Sequence, residues 1–99
     1  MHDLTGFQRD LLYVIAGSDN PHGLKVKEEL ESYYETEINH GRLYPNLDAL
    51  VEKGLIEKGR IDDRTNSYTV TRRGMREIES RREWEEEYVA ELLQAAVTR

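Results

Sequence analysis

Ninety-nine residues suffice for one domain with a modest core, and the absence of cysteine excludes disulfides and thiolate metal sites. No apolar run approaches the ~18 residues of a membrane span and no basic-then-apolar leader opens the chain, so the expectation is a soluble, cytoplasmic protein with no membrane partner. A formal charge of −6 argues at first against a polyanionic partner, but the charge is unevenly spread: residues 39–73 carry seven Lys/Arg against five Asp/Glu, whereas residues 1–38 carry three against eight and residues 74–99 four against seven. With 37% hydrophobic and 34% charged residues, a chain this small is expected to gain further burial by self-association. Ten of its basic residues are Arg and four are Lys, and it has a single Phe. Together with the acidic excess, this composition resembles that of proteins from salt-loving organisms: dense carboxylates hold water and cations, and high salt screens their mutual repulsion.

The first predicted helix lies in "LTGFQRDLLYVIAG". Thr5 and Gln8 have capping-box spacing, and Gly17 sits where the helix would stop. Phe7, Leu11, Val14 and Ile15 form one apolar face. Leu4 and Leu12 fall off that stripe, so the helix is apolar on more than one side and a partner subunit is expected to cover the excess. "SDNPHG" reads as punctuation, and "LKVKEELESYY" as a second helix with Val26, Leu30 and Tyr33 on its inner face.

The connector "ETEI" leads to Asn39, a good N-cap, with Ile38 and Leu43 spaced as a hydrophobic staple. Leu43, Leu47, Leu50 and Val51 supply the buried face of helix three, and Gly54 its stop. Two helices joined by so short a turn have the layout of a helix-turn-helix. Pro45 lies inside the third helix and offers no N–H to the Gly41 carbonyl. It either bends the first turn, aiming Asn39, His40 and Arg42 outward, or fixes only the start of the helix.

After Gly54 the period changes. "LIEKGRI" and "SYTVT" read as strands around the polar tip "DDRTN", with Tyr68 and Val70 on one face. Thr71 is the expected N-cap of a long last helix, whose apolar positions are Met75, Ile78, Trp84, Tyr88, Val89, Leu92 and Ala96. The order is that of a winged helix with a helix added: an α+β chain, mostly α.

"HGLKVKEELE", "GRLYPNLDALVEKGLIEKG" and "YTVTRRG" resemble the PadR-like family of winged-helix transcriptional regulators, over about Leu4 to Gly74. The single short closing helix is similar to that of the smaller members of the family. The resemblance implies a homodimeric DNA-binding repressor or activator, joined through its first and last helices. It divides the chain into a winged helix-turn-helix DNA-binding domain at residues 1–74 and a dimerisation helix at residues 75–99. The interface would then use Leu4, Phe7, Leu11, Leu12, Ile15, Trp84, Tyr88, Leu92 and Ala96. A two-fold dimer reads an inverted repeat with half-sites roughly 10–10.5 base pairs apart, or a multiple. The tip "DDRTNS" departs from the family, whose wings are often more basic.

On double-stranded DNA, Asn39, His40 and Arg42 would enter the major groove first. Arg42, Asn46, Ala49 and Lys53 share one flank of helix three: Arg suits guanine, Asn adenine, the small Ala a thymine methyl, and Lys53 a phosphate. Tyr44, on the other flank, either touches phosphate or packs as a half-buried aromatic against helix two. Arg60, Arg64, Thr65 and Asn66 belong to the wing and are candidates for backbone or minor-groove contact. Asp62 and Asp63 would repel phosphate unless they point away or K+ or Na+ intervenes. Arg72 and Arg73, where a helix N-terminus favours an anion, bind DNA or pair with neighbouring Glu.

Nothing points to an enzyme or a cofactor. His2, His22 and His40 are dispersed, no glycine loop would cradle a phosphate, and no nucleophile has an evident base. The glutamates of "EWEEEYVAE" read as a solvated face with i,i+4 Arg–Glu pairs. Trp84, Tyr88 and Tyr13 either line a small pocket at the dimer interface or simply pack there. The alternative for the whole chain is a winged-helix module that binds another protein and reads no DNA.

Overall fold

The computed structural model describes residues 1–98, with side chains through Ala96. Its elements are α1 (Gly6–Ala16), α2 (Gly23–Tyr34), α3 (His40–Glu52), β1 (Ile56–Arg60), β2 (Asn66–Val70) and α4 (Arg72–Thr98). The capping box of α1 is formed: Thr5 Oγ1 accepts from Gln8 N–H at 3.1 Å, and Gln8 Oε1 accepts from Thr5 N–H at 3.2 Å.

α1 is the central helix and packs against α2, α3, α4 and β2. This corrects one expectation. Leu4, Phe7, Leu11, Leu12 and Ile15 are all buried in the protomer's own core, Leu11 and Leu12 at 0% exposure, and have almost no surface left for a partner. A helix is apolar on several sides when neighbours surround it within one domain, and that is the case here.

The turn between α2 and α3 is tied by Glu31, whose carboxylate accepts from Lys27 Nζ at 2.9 Å and from Ile38 N–H at 2.8 Å. Those two bonds, the lysine's foremost, hold its carboxyl below the usual carboxylate range. Tyr33, expected inward, is 77% exposed. Its neighbour Tyr34 turns in instead, with its ring centroid 6.3 Å from that of Phe7.

α3 begins as expected, with Asn39 Oδ1 accepting Arg42 N–H at 2.8 Å, and runs through Pro45 to Glu52. Its end is a Schellman turn: Gly54 takes φ +75°, its N–H bonds to the Val51 carbonyl, and Leu55 N–H bonds to that of Leu50. Leu50 and Leu55 are both buried beneath it.

β1 and β2 pair antiparallel, Ile56 opposite Val70 and Arg60 opposite Asn66. The "SDNPHG" segment is more than punctuation. His22 bridges to Ser67, and Tyr68 N–H bonds to the Pro21 carbonyl at 2.9 Å, so the segment adds a stub of third strand. Thr71 then fastens α4 to the end of α3: its Oγ1 accepts from Gly74 N–H at 3.0 Å while its hydroxyl donates to the Gly54 carbonyl at 2.6 Å. A Cβ at Gly74 would lie 2.2 Å from the Leu55 carbonyl oxygen, so only glycine allows this approach. The whole is a winged helix-turn-helix with an added C-terminal helix. Most of that last helix stands clear of the core, and Trp84, Tyr88, Leu92 and Leu93 are exposed.

Candidate nucleic-acid interface

Arg42 and Asn46 are exposed or half-buried on one flank of α3, and both are held from the first turn of α1. The Arg42 guanidinium lies 4.0 Å above the centroid of the Phe7 ring. Asn46 Oδ1 accepts from Gln8 Nε2 at 2.9 Å, and Asn46 Nδ2 donates to the Arg42 carbonyl at 2.7 Å. Ala49, on the same flank, is half-buried. Nothing local in the sequence marks Phe7 or Gln8 as a support of this flank; both follow signals within α1, and only the fold brings them to α3.

Asn39 and His40 are exposed at the start of α3, with the His40 ring edge-on to Tyr44 at 5.6 Å. Tyr44 packs on the start of α2, where a Cβ on Gly23 would meet its hydroxyl at 2.8 Å. A cleft of about 220 Å³ runs from there to the wing, lined by His22, Gly23, Tyr44, Arg64, Thr65 and Asn66. The structure thus brings one side of α3, the start of α2 and the wing tip together. In the sequence His22 and Gly23 show only a turn and a helix start.

The two lysines of the basic third are paired. Lys53 meets Asp3 at 3.1 Å and Lys58 meets Asp48 at 3.1 Å. Lys53, expected at phosphate, is therefore already engaged with the chain's own carboxylate. The arginines differ. Among the described residues Arg42, Arg60, Arg64, Arg72 and Arg73 form no ion pair, and all five are exposed. The pairing of Arg72 or Arg73 with a glutamate is thus not seen.

At the wing tip, Asp62 Oδ1 accepts from the N–H groups of both Arg64 and Thr65 at 2.8 Å. These bonds, that of Arg64 first, hold the Asp62 carboxyl below its ordinary value. Asp63 is exposed beside it.

On α4 the rings of Trp84 and Tyr88 lie 5.2 Å apart, and Arg81 stacks over Trp84 at 4.6 Å. Tyr13 does not join them. It lines a separate groove of about 500 Å³ between α1 and α4, with Arg9, Arg82, Glu85 and Val89, and its buried hydroxyl has no hydrogen-bond partner among the described residues. Among those residues no group of three or more His, Cys, Asp or Glu could hold a metal ion. No described helix is long and apolar enough to cross a membrane.

A helix-turn-helix with an arginine-bearing second helix beside a wing defines a DNA-binding transcriptional regulator of the winged-helix class. Residues 11–80 match the model of the transcriptional regulator PadR-like family, and the chain belongs to that family. Among solved structures it is similar to H. salinarum RosR grown from NaBr, with 44% identity, a TM-score of 0.85, and coverage of 97% of this chain and 92% of that one. A complex of hsRosR gives 46% identity, a TM-score of 0.85, and coverage of 98% and 91%. A winged-helix DNA-binding protein from STIV, at 19% identity, a TM-score of 0.68 and coverage of 85% and 92%, shares the fold. A comparison with curated protein sequences gives no match.

Proposed function

We propose that the protein is a homodimeric regulator that reads an inverted repeat in promoter DNA, in the cytoplasm of a salt-adapted cell. The observation that carries this reading is the Arg42–Asn46 flank of α3, with Arg42 exposed and Asn46 half-buried, in the one net-basic third of an acidic chain and flanked by the wing arginines. Arg42, with Asn39 and His40, enters the major groove, Asn46 and Ala49 contact base edges, and Arg60, Arg64, Thr65 and Asn66 follow the backbone. Tyr44, Arg72 and Arg73 add phosphate contacts at the margins. The family resemblance to RosR, a protein of H. salinarum, supports the salt-adapted setting.

Residues 1–74 form the reading unit and residues 75–99, of which Arg99 lies outside the described residues, the dimerisation segment. The exposed stripe of Trp84, Tyr88, Leu92 and Ala96 is too apolar to stand in water over so much of one helix, and a second copy covers it. K+ or Na+ ions held between wing carboxylates and phosphates offset the repulsion of an acidic chain from DNA. The deciding experiment is fluorescence anisotropy of duplex DNA from upstream of the protein's own gene, in molar KCl. Binding that an unrelated duplex does not match is expected; equal binding to both would overturn sequence-specific reading.

A further inference from the structure

The first turn of α1 uses Gln8 twice. Its Oε1 closes the capping box on Thr5 N–H, and its Nε2 donates to Asn46 Oδ1 across 38 residues of sequence. Asn46 Nδ2 donates in turn to the Arg42 carbonyl. An amide oxygen has two acceptor positions and an amide nitrogen two protons. One of each is used on Asn46, so its amide plane is held from two sides. Among the described residues one acceptor and one donor position stay open, the pair of groups that an adenine edge requires. A terminal amide torsion is otherwise broad and roughly two-fold, and turning it over exchanges oxygen for nitrogen.

We propose that Gln8 is a positioning residue for base reading: it sets the orientation of the Asn46 amide, so that preference for one operator base depends on a side chain of α1 acting through Asn46. This rests on the reading of α3 as the base-contacting helix. Glutamate would serve the capping box equally well, since Glu and Gln both occur at that position. Only Gln has the Nε2 protons that Asn46 Oδ1 needs. With Glu at position 8, two oxygens would face each other and the Asn46 amide would turn over, losing its bond to the Arg42 carbonyl and reversing the donor and acceptor at its open edge.

The test uses the full chain and the tightest duplex that the wild type recovers from a randomised pool, together with every single-base-pair variant of that duplex. Gln8→Glu adds a charge that weakens all duplexes alike, so the readout is the ratio between duplexes. The expected result is a loss of preference by about fivefold or more at one position per half-site, with a fall in thermal midpoint no larger than that of Thr5→Ala. Asn46→Ala loses preference at the same position, and adding Gln8→Glu to it changes nothing further. Thr5→Ala removes the other half of the capping box and spares the Asn46 bond; it lowers the midpoint and keeps the preference. Should Gln8→Glu fail to fold, Gln8→Ala carries the same comparison against Thr5→Ala. If Gln8→Glu keeps the full preference while Asn46→Ala loses it, or if Thr5→Ala loses as much, the positioning role is overturned and base reading by α3 stands. If Asn46→Ala keeps the preference, or the wild type enriches no duplex, base reading by Asn46 falls and the positioning role with it.

Discussion

The guanidinium of Arg42 is stacked on the ring of Phe7, 4.0 Å from its centroid, which fixes the direction of the one arginine on the exposed flank of α3. A guanidinium anchored over an aromatic face by its cationic centre can still offer its N–H groups to a bidentate partner. Arg42→Ala is expected to cost about 1–3 kcal/mol of binding and to relax preference at one base position. Arg42→Lys should recover little of that preference, because an ammonium lacks the fork. Competition titrations over single-base operator variants measure both, and a loss spread evenly over all variants would reduce Arg42 to a phosphate contact.

Asp62 stands at the tip of a wing expected to approach DNA, yet its carboxylate is already engaged with the N–H groups of Arg64 and Thr65. It organises the loop. Asp62→Ala should speed hydrogen exchange at those two amides, whereas Asp62→Asn, which keeps the accepting oxygen, should leave their exchange close to that of the wild type. The bonds favour the ionised carboxyl, so their contribution is whole above the ordinary Asp range and is lost as pH falls below it. Equal exchange rates in Asp62→Ala and wild type would show the loop to be held by something else.

Leu12 and Leu92 read alike in the sequence and differ completely in the fold: 0% against 68% exposure. Leu12→Ala is therefore expected to cost about 2–5 kcal/mol of protomer stability by opening a cavity. Leu92→Asp should leave the protomer folded and abolish the dimer, since a covered interface would bury an unpaired carboxylate in each copy. Light scattering with circular dichroism separates the two effects. A folded wild-type monomer at micromolar concentration would overturn dimerisation through α4.

What was legible in the sequence is what a few neighbouring residues decide. The Thr5–Gln8 box, the Asn39 cap, the Gly54 stop and the Thr71 cap each involve groups within five residues of one another, and each is formed. The assignment of faces needed the fold, because surplus apolar residues look the same whether a neighbouring helix or a second chain covers them. Leu4 and Leu12 went to the protomer's core for that reason. Pairings across the chain, such as Lys53 with Asp3 and Asn46 with Gln8, leave no periodic trace. The bridge at His22 is a single residue pair, too short for an alternating pattern.

Tyr34 donates its phenol to Asp10 at 2.5 Å, and burial, with that bond second, pushes its pKa up to about 12 from an ordinary value near 10. A proton bound more tightly in the folded state contributes stability that is whole below the ordinary value. It is lost as pH rises from about 10 towards about 12. Tyr34→Phe should remove about 1 kcal/mol of stability at neutral pH. It should also flatten this part of the alkaline fall in stability relative to the wild type. Denaturant titrations at stepped pH make the comparison, and identical alkaline limbs in the two proteins would exclude Tyr34 as their cause.

The salt dependence of binding is the most exposed consequence of an acidic chain meeting DNA. Each phosphate neutralised by Lys or Arg normally contributes about −0.9 to the slope of log affinity against log salt. Here Lys53 and Lys58 are already paired with Asp3 and Asp48, so the counterions are released by arginines such as Arg42, Arg60 and Arg64. Asp62 and Asp63 lie in the same wing loop as Arg64, and a carboxylate near phosphate is repulsive unless a cation stands between them. Each K+ or Na+ taken up there cancels one released elsewhere. With the carboxylates of Asp62 and Asp63 set against a larger number of arginines, the slope is expected to be shallow, and binding to weaken only modestly up to molar KCl. Replacing Asp62 and Asp63 together with Asn keeps the accepting oxygen at the loop tip while removing both charges, and should restore an ordinary negative slope. Affinity for one operator across a KCl series, with the fold checked by circular dichroism at each point, measures this. A steep negative slope in the wild type, with the fold intact throughout, would exclude cation bridging and leave the winged-helix assignment untouched.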